Sequence, residues 1–160
     1  IKKICKKNNI LLIEDAAHAI GSYNKNLHVG NAGIAASFSF SMPKLITMGQ
    51  GGAVITNSKK LATKLRYYKN FGRKNSGEDV HNFFGYNFKI TDIQTLLALE
   101  QLKNINERIK IKKRIFNRYK KNLENNPHIK IFNFSKKETP WSVDIYSNKI
   151  NKIKKILKKK

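Results

Sequence analysis

The sequence predicts a mixed α/β fold, and three features of its pattern support this class. A short continuous apolar run at residues 10–13 ends in two acidic residues, which is typical of a buried strand in a parallel sheet. Two further strand-like runs follow at 36–40 and 51–56, and helical spacing begins after residue 57. Strands that alternate with helices are typical of α/β chains. The length of 160 residues suits one domain or a piece of a larger protein.

The first elements are predicted from apolar patterning. The basic stretch 1–9 is expected to form the last turns of a helix that leads into the strand at 10–13. The run 36–40 alternates small and aromatic side chains, and glycines open the strand at 51–56.

Capping signals predict the helices in the middle of the chain. Ser58 offers an N-cap for a helix that ends near Gly72, and a loop follows at 73–90. Thr91 and Gln94 have the spacing of a capping box, which begins a second helical pattern. This pattern continues for about thirty residues, so it predicts one long helix or two helices with a bend.

The last part of the chain changes in composition and in the order of its elements. We expect two strands and an amphipathic tail helix, at 128–134, 141–146 and 152–160. The change predicts a domain boundary, with one partial domain at 1–118 and the beginning of a second at 119–160.

The net charge of +23 first suggests a nucleic acid or an anionic membrane as partner. Of the 33 basic residues, 28 are lysine and five are arginine, whereas recognition of bases and phosphates favours arginine. We therefore interpret the excess as a solvated basic face and expect no specific nucleic-acid partner. No apolar run is long enough for a bilayer, and no signal-peptide pattern precedes the first strand. These features predict a cytoplasmic chain without a membrane partner, and one that is not a complete protein.

Polar side chains follow the predicted strands, at the positions where open α/β sheets bind ligands. Asp15 ends the first strand and His18 comes three residues later; Ser39 lies in the second strand and Lys44 comes just after it. Each has an ordinary structural explanation by itself, such as a cap for Asp15 or a snorkelling side chain for Lys44. Their combination indicates a site. The other histidines are scattered and offer no metal-ligand spacing.

Five blocks of sequence carry these residues in a fixed order: IEDAAHAIG at 13–21, SFSFSMPK at 37–44, GQGGAVIT at 49–56, GYNFKITDIQ at 85–94 and TPWSVDI at 139–145. Together they resemble the DegT/DnrJ/EryC1/StrS family of pyridoxal-phosphate-dependent sugar aminotransferases, over nearly the whole chain. The resemblance implies part of the large cofactor-binding α/β/α domain of fold type I aminotransferases, together with the start of the small C-terminal domain. It also implies a homodimer.

The resemblance implies a role for each matching position. Lys44 would hold pyridoxal 5'-phosphate through its amine and then carry a proton between substrate and cofactor. Asp15 would pair with the pyridine nitrogen and keep it protonated. His18 would lie near the ring, and Ser39 would bind the cofactor phosphate. Asn87 would reach the cofactor phosphate of the neighbouring subunit.

The implied reaction is transfer of an amino group, from glutamate, to a nucleotide-linked keto sugar for surface polysaccharides or glycosylated natural products. Related sugar 3-dehydratases have histidine at the position of Lys44, so the lysine favours amino transfer. Three alternatives remain open. One is a family member that acts on another keto substrate or serves as a regulator. The others are a basic α/β binding module without catalysis and an inactive fragment.

Overall fold

The computed structural model describes residues 1–159, which form five helices and seven strands. In chain order these are α1 (Lys2–Lys7), β1 (Ile13–Asp15), β2 (Tyr23–Asn24), β3 (Leu27–His28), β4 (Ala35–Ser39), β5 (Gly52–Ile55), α2 (Lys59–Lys69), α3 (Asp92–Lys103), α4 (Ile105–Leu123), β6 (Lys130–Ile131), β7 (Ile145–Tyr146) and α5 (Ile150–Leu157). Every helix within residues 1–159 is too short or too polar to cross a membrane.

A three-stranded sheet with the order β1-β4-β5 organises the first half of the chain. β1 is parallel to β4, with Asp15 opposite Ser37, and β5 is antiparallel to β4, with Gly52 opposite Ser39. Because β1 and β4 are parallel, their carboxyl ends lie at the same edge of the sheet. Two further strand pairs, β2-β3 and β6-β7, are antiparallel.

The prediction of a buried strand at 10–13 is wrong. The strand begins at Ile13, whose surface is 66% exposed, and Leu11 before it is 74% exposed. Within the described residues β1 is an edge strand that pairs with β4 alone. Within residues 1–159, Leu11 and Ile13 therefore leave one face of this apolar run exposed. The strands predicted at 36–40 and 51–56 form as expected, as β4 and β5.

Two small clusters of buried side chains flank the sheet. One joins the start of the loop after β1 to β4, and the other joins the loop after β4 to α3. Their members are Ala16, Ala36 and Phe38 in the first cluster, and Ile46, Met48 and Ala98 in the second. The second cluster packs α3 against the loop that follows β4.

The predicted capping signals form as hydrogen bonds. The hydroxyl of Ser58 accepts from the amide of Leu61 at 3.2 Å, and α2 begins at the next residue, Lys59. Thr91 and Gln94 make the full capping box at the start of α3. The Gln94 side chain also donates to the carbonyl of Gln50 at 3.0 Å, so the cap ties α3 to the loop before β5.

The long helical pattern forms two helices, because the chain leaves helical geometry at Asn104 between α3 and α4. α4 runs without a break across residue 118, where we expect the domain boundary, and the boundary stays a prediction. The predicted tail helix forms as α5. Lys160, the last residue of that predicted segment, lies outside the described residues.

The strands predicted at 128–134 and 141–146 are much shorter than expected, since β6 and β7 hold two residues each. The residues between them pair elsewhere. The amide of Tyr23 donates to the carbonyl of Lys137 at 2.9 Å, and the amide of Thr139 donates to the hydroxyl of Ser22 at 2.9 Å. Tertiary contacts with the β2-β3 hairpin thus replace a continuous ladder.

A carboxylate in β1 holds the loop that leads into β4. Glu14 accepts hydrogen bonds from the amides of Gly30 at 2.9 Å, Ala32 at 2.7 Å and Gly33 at 2.8 Å. Burial by itself raises the pKa of the Glu14 carboxyl, but the three amides and the charge of Lys2 outweigh it and hold this pKa below its ordinary value. The charged form of Glu14 therefore stabilises the fold.

We expect Glu14→Gln to lower the free energy of unfolding by about 1–3 kcal/mol at pH 7, because one acceptor oxygen then faces three donors. The full-length protein, expressed from the longest reading frame that contains this chain, is unfolded in urea across a range of pH. A carboxyl with a lowered folded pKa stabilises above its unfolded value of 4.5 and loses this contribution as pH falls through the folded value. The difference between wild type and variant should therefore shrink below pH 4.5.

Glu124→Gln is the control for this experiment, since Glu124 is exposed at the end of α4. It should change stability by less than about 0.5 kcal/mol at each pH. A gap between wild type and Glu14→Gln that stays constant down to acid pH would contradict the role of the charge.

Candidate functional site

A shallow, solvent-open cleft lies at the edge of the sheet where β1 and β4 end. Its walls come from the loop after β1, the end of β4 and the loop after it, α4, and the segment before β7. The lining residues are Ala17, His18, Ile20, Ser39, Lys44, Leu45, Lys112, Thr139, Pro140 and Trp141. Residues distant in sequence therefore meet at one point.

The cleft brings together three of the five residues that the sequence analysis selected. His18, Ser39 and Lys44 all line it. Asp15 is not part of the lining: it ends β1 as an exposed residue, two positions before the first lining residue, Ala17. One oxygen of its carboxylate accepts from the amide of Ala17 at 3.1 Å.

Asn87 lies outside the cleft, in the loop between α2 and α3. It is exposed and pairs with Asn70 through a single β-bridge. Its predicted partner is a neighbouring subunit, so its role stays a prediction.

Lys44 lies on a tight turn directly after β4. Its amide donates to the carbonyl of Ser41 at 3.0 Å, and the amide of Met48 donates to the carbonyl of Phe40 at 2.9 Å, which closes a loop of residues 41–47. The side chain of Lys44 is half-buried. Its ammonium lies 5.2 Å from the centroid of the Trp141 ring, within the range of a cation–π interaction.

Trp141 contacts two of the candidate residues, His18 and Lys44, although the sequence predicted no role for it. Its ring stacks on His18, with centroids 4.0 Å apart and planes 9° apart. Its indole N–H donates to the carbonyl of Pro43 at 3.1 Å. The signal available in the sequence was weak, namely the only tryptophan of the chain directly after Pro140.

The segment that carries Trp141 is anchored next to the loop after β1. The buried Thr139 donates its hydroxyl to the carbonyl of Gly21 at 2.9 Å and its amide to the hydroxyl of Ser22. Gly21 has a positive φ of 76°, which other residues rarely adopt, and a β-carbon there would force the end of the Ile109 side chain on α4 to shift. Glycine at this position therefore allows α4 and the segment before β7 to approach the site together.

Side chains of α3 and α4 hold the loop behind Lys44. The amide group of Gln101 donates to the carbonyl of Thr47 at 2.7 Å and accepts from the amide of Thr47 at 3.2 Å, as a neighbouring strand would. Arg108 donates to the carbonyl of Leu45 at 3.4 Å. The amide and carbonyl of Thr47 and the carbonyl of Leu45 are satisfied in this way without a regular element.

The histidines outside the cleft have structural contacts. The Nε2 atom of His28 accepts from the amide of Gly21 at 3.0 Å, so its Nδ1–H donates to the carbonyl of Val29 at 2.5 Å. His81 contacts the carbonyl of Phe71 through Nδ1 at 2.8 Å. In residues 1–159, no group of three or more His, Cys, Asp or Glu side chains could hold a metal ion.

The sequence profile described as the DegT/DnrJ/EryC1/StrS aminotransferase family matches residues 1–159. The GDP-perosamine synthase of Escherichia coli O157:H7 is 36% identical over 147 residues, which are 91% of this chain and 40% of that protein. The UDP-4-amino-4,6-dideoxy-N-acetyl-beta-L-altrosamine transaminase of Helicobacter pylori is 38% identical over 105 residues, 64% of this chain and 28% of that protein. The chain thus spans less than half the length of these relatives.

Two solved structures share the fold. The Helicobacter pylori aminotransferase PseC, involved in the biosynthesis of pseudoaminic acid, matches with a TM-score of 0.88 and 30% identity, over 98% of this chain and 44% of that one. A DegT DnrJ EryC1 StrS aminotransferase from Brucella abortus matches with a TM-score of 0.85 and 26% identity, over 98% of this chain and 42% of that one. These likenesses confirm the predicted fold class, which is that of fold type I aminotransferases.

The contacts of Gln101 predict a measurable difference between two substitutions. Gln101→Leu removes the acceptor for the Thr47 amide, so exchange of that amide with solvent should become about tenfold faster or more in the full-length protein. Gln101→Glu keeps an acceptor oxygen for the Thr47 amide but loses the donor to the carbonyls of Thr47 and Leu97, so protection of the amide should fall less than in Gln101→Leu. Site-resolved hydrogen exchange measures both. Lys103→Gln, at an exposed position of the same helix, is the control, and unchanged exchange in Gln101→Leu would contradict the contact.

Proposed function

This chain belongs to the DegT/DnrJ/EryC1/StrS aminotransferase family, and on this premise we propose that its protein is a pyridoxal-phosphate-dependent aminotransferase. It transfers an amino group, with glutamate as the donor, to a keto sugar carried on a nucleotide. The observation that carries the proposal is the half-buried Lys44 in a cleft at the carboxyl edge of the sheet, together with Ser39 and His18.

The relatives support the class of substrate. One similar protein is a GDP-perosamine synthase, and another is a transaminase whose name contains a UDP-linked amino sugar. A sugar linked to GDP or UDP is therefore the acceptor that we propose for this chain. Products of this kind enter surface polysaccharides or natural-product sugars.

The residues of the site fit the chemical groups of pyridoxal phosphate. Lys44 offers an amine for the aldehyde. The hydroxyl of Ser39 donates to the hydroxyl of Ser41 at 3.2 Å and accepts from the amide of Ser41 at 3.4 Å. The two hydroxyls and this amide are a cluster of donors that suits an anionic phosphate. Asp15 uses one carboxylate oxygen on the amide of Ala17, and its charge would suit the protonated ring nitrogen of the cofactor.

Each side chain has a task in the proposed reaction. When bound, pyridoxal phosphate supplies an electron sink for the carbon that loses a proton. The amine of Lys44 would hold the cofactor through its aldehyde, and would carry the proton at the amine-bearing carbon of the substrate. The stacked rings of His18 and Trp141 form part of the wall of the cleft beside this amine.

The proposal includes a homodimer in the cytoplasm. Asn87 lies on an exposed loop, outside the cleft of its own chain, as a residue that serves a neighbouring subunit would. A basic binding module without catalysis is not favoured, because the family match covers 1–159 and the lysine lies in the cleft rather than on the basic surface.

Reduction with borohydride tests this function directly. The full-length protein is mixed with pyridoxal phosphate, reduced and digested, and mass spectrometry locates the bound pyridoxyl group. We expect the adduct on Lys44, because this cleft lysine lies on the turn directly after β4, the strand that ends at Ser39. Amino transfer from glutamate should fall by at least about a thousandfold in Lys44→Ala.

Lys89→Ala is a control for surface reactivity in the same reduction, since Lys89 is exposed on the loop that carries Asn87. The yield of Lys44 adduct in the Lys89→Ala variant should equal the yield in wild type. A folded, full-length protein without a Lys44 adduct would overturn the aminotransferase and favour the binding module. Steeply salt-dependent binding of nucleic acid in that protein would then support the module.

A further inference from the structure

Lys112 is a second lysine in the cleft, and the proposed reaction gives it no task. It lies on α4, lines the cleft with Lys44, and is half-buried. Its ammonium has one long contact, 3.5 Å to the carbonyl of Trp141. An ammonium has three N–H donors, so most of its capacity remains unused.

The charged side chains that line the cleft are all positive. Two lysines line it, and none of its ten lining residues is an aspartate or a glutamate. Lys112 also forms no ion pair with the carboxylates of the described residues, whose pairs involve Arg73, His81, Lys103 and Lys110. A partly desolvated cation without a counter-charge is stabilised when an anion enters.

We infer that Lys112 binds an anionic oxygen group of the substrate, which is the carboxylate of the amino donor or a phosphate of the nucleotide. The inference rests on the proposed function for the identity of these ligands. In that function the amine of Lys44 is committed to the cofactor, which leaves Lys112 as the other cation among the lining residues of the cleft.

The neighbouring Lys113 is a matched control. It lies on the same helix, is also half-buried, and donates to a carbonyl of the same segment, that of Lys136 at 2.7 Å. It does not line the cleft. A comparison of the two positions separates anion binding from the task of holding the segment 136–141 against α4.

The experiment is calorimetric titration of the full-length protein with glutamate, UDP and GDP, in wild type, Lys112→Met, Lys112→Arg and Lys113→Met. Methionine keeps the apolar stem and removes the charge. We expect Lys112→Met to weaken binding of one ligand class by about tenfold or more, with most of the affinity kept in Lys112→Arg and a change below about twofold in Lys113→Met. Loss for glutamate alone identifies the carboxylate, and loss for UDP and GDP alone identifies the phosphate.

Four results would overturn the inference: no anion bound by wild type, no loss in Lys112→Met, equal losses in both methionine variants, or a loss confined to pyridoxal phosphate itself. The Lys44 adduct, measured in the same preparations, reports on the proposed function separately. A normal adduct without a Lys112 effect leaves the aminotransferase and removes the anion site. A missing Lys44 adduct, together with weaker binding of UDP or GDP in Lys112→Met, leaves the anion site and removes the aminotransferase.

Discussion

The parallel pairing of β1 with β4 is the constraint on which the rest of this structure depends. It places the ends of both strands at one edge of the sheet and so determines where His18, Ser39 and Lys44 can meet. Parallel strands need a long connection, which is usually a helix. Here the connection is the β2-β3 hairpin and a loop, and the carboxylate of Glu14 binds three amides of that loop. A charged group in the strand thus supplies the order that a crossover helix would otherwise give.

The sequence predicted those features that depend on local chemistry. The caps at Ser58 and Thr91 formed because a hydroxyl and an amide only a few residues apart satisfy each other wherever the helix lies. The burial of residues 10–13 depends on which distant residues pack against β1, and no local sequence pattern carries that information. The same reason explains the short β6 and β7, since the residues between them bind the β2-β3 hairpin.

The residues of the site also divide into those that local sequence predicts and those that depend on distant contacts. His18, Ser39 and Lys44 were found because they follow strands and stand in blocks that resemble a family, and the structure brings them together. Trp141 and Lys112 come from far along the chain and were missed as site residues. Their approach depends on Gly21, where the absence of a side chain admits α4, and on the bonds of Thr139. Such long-range contacts leave no periodic signal in sequence.

The stack of Trp141 on His18 has a consequence for optical spectroscopy. The 160 residues contain one tryptophan, so their indole emission comes from one known position. That indole touches an imidazole on its face, lies near the ammonium of Lys44 and is hydrogen-bonded to the backbone beside it. Its emission therefore reports on events around Lys44 without an attached dye. Replacing the ring of Trp141 alone removes this emission and so identifies the part of the signal that comes from the site.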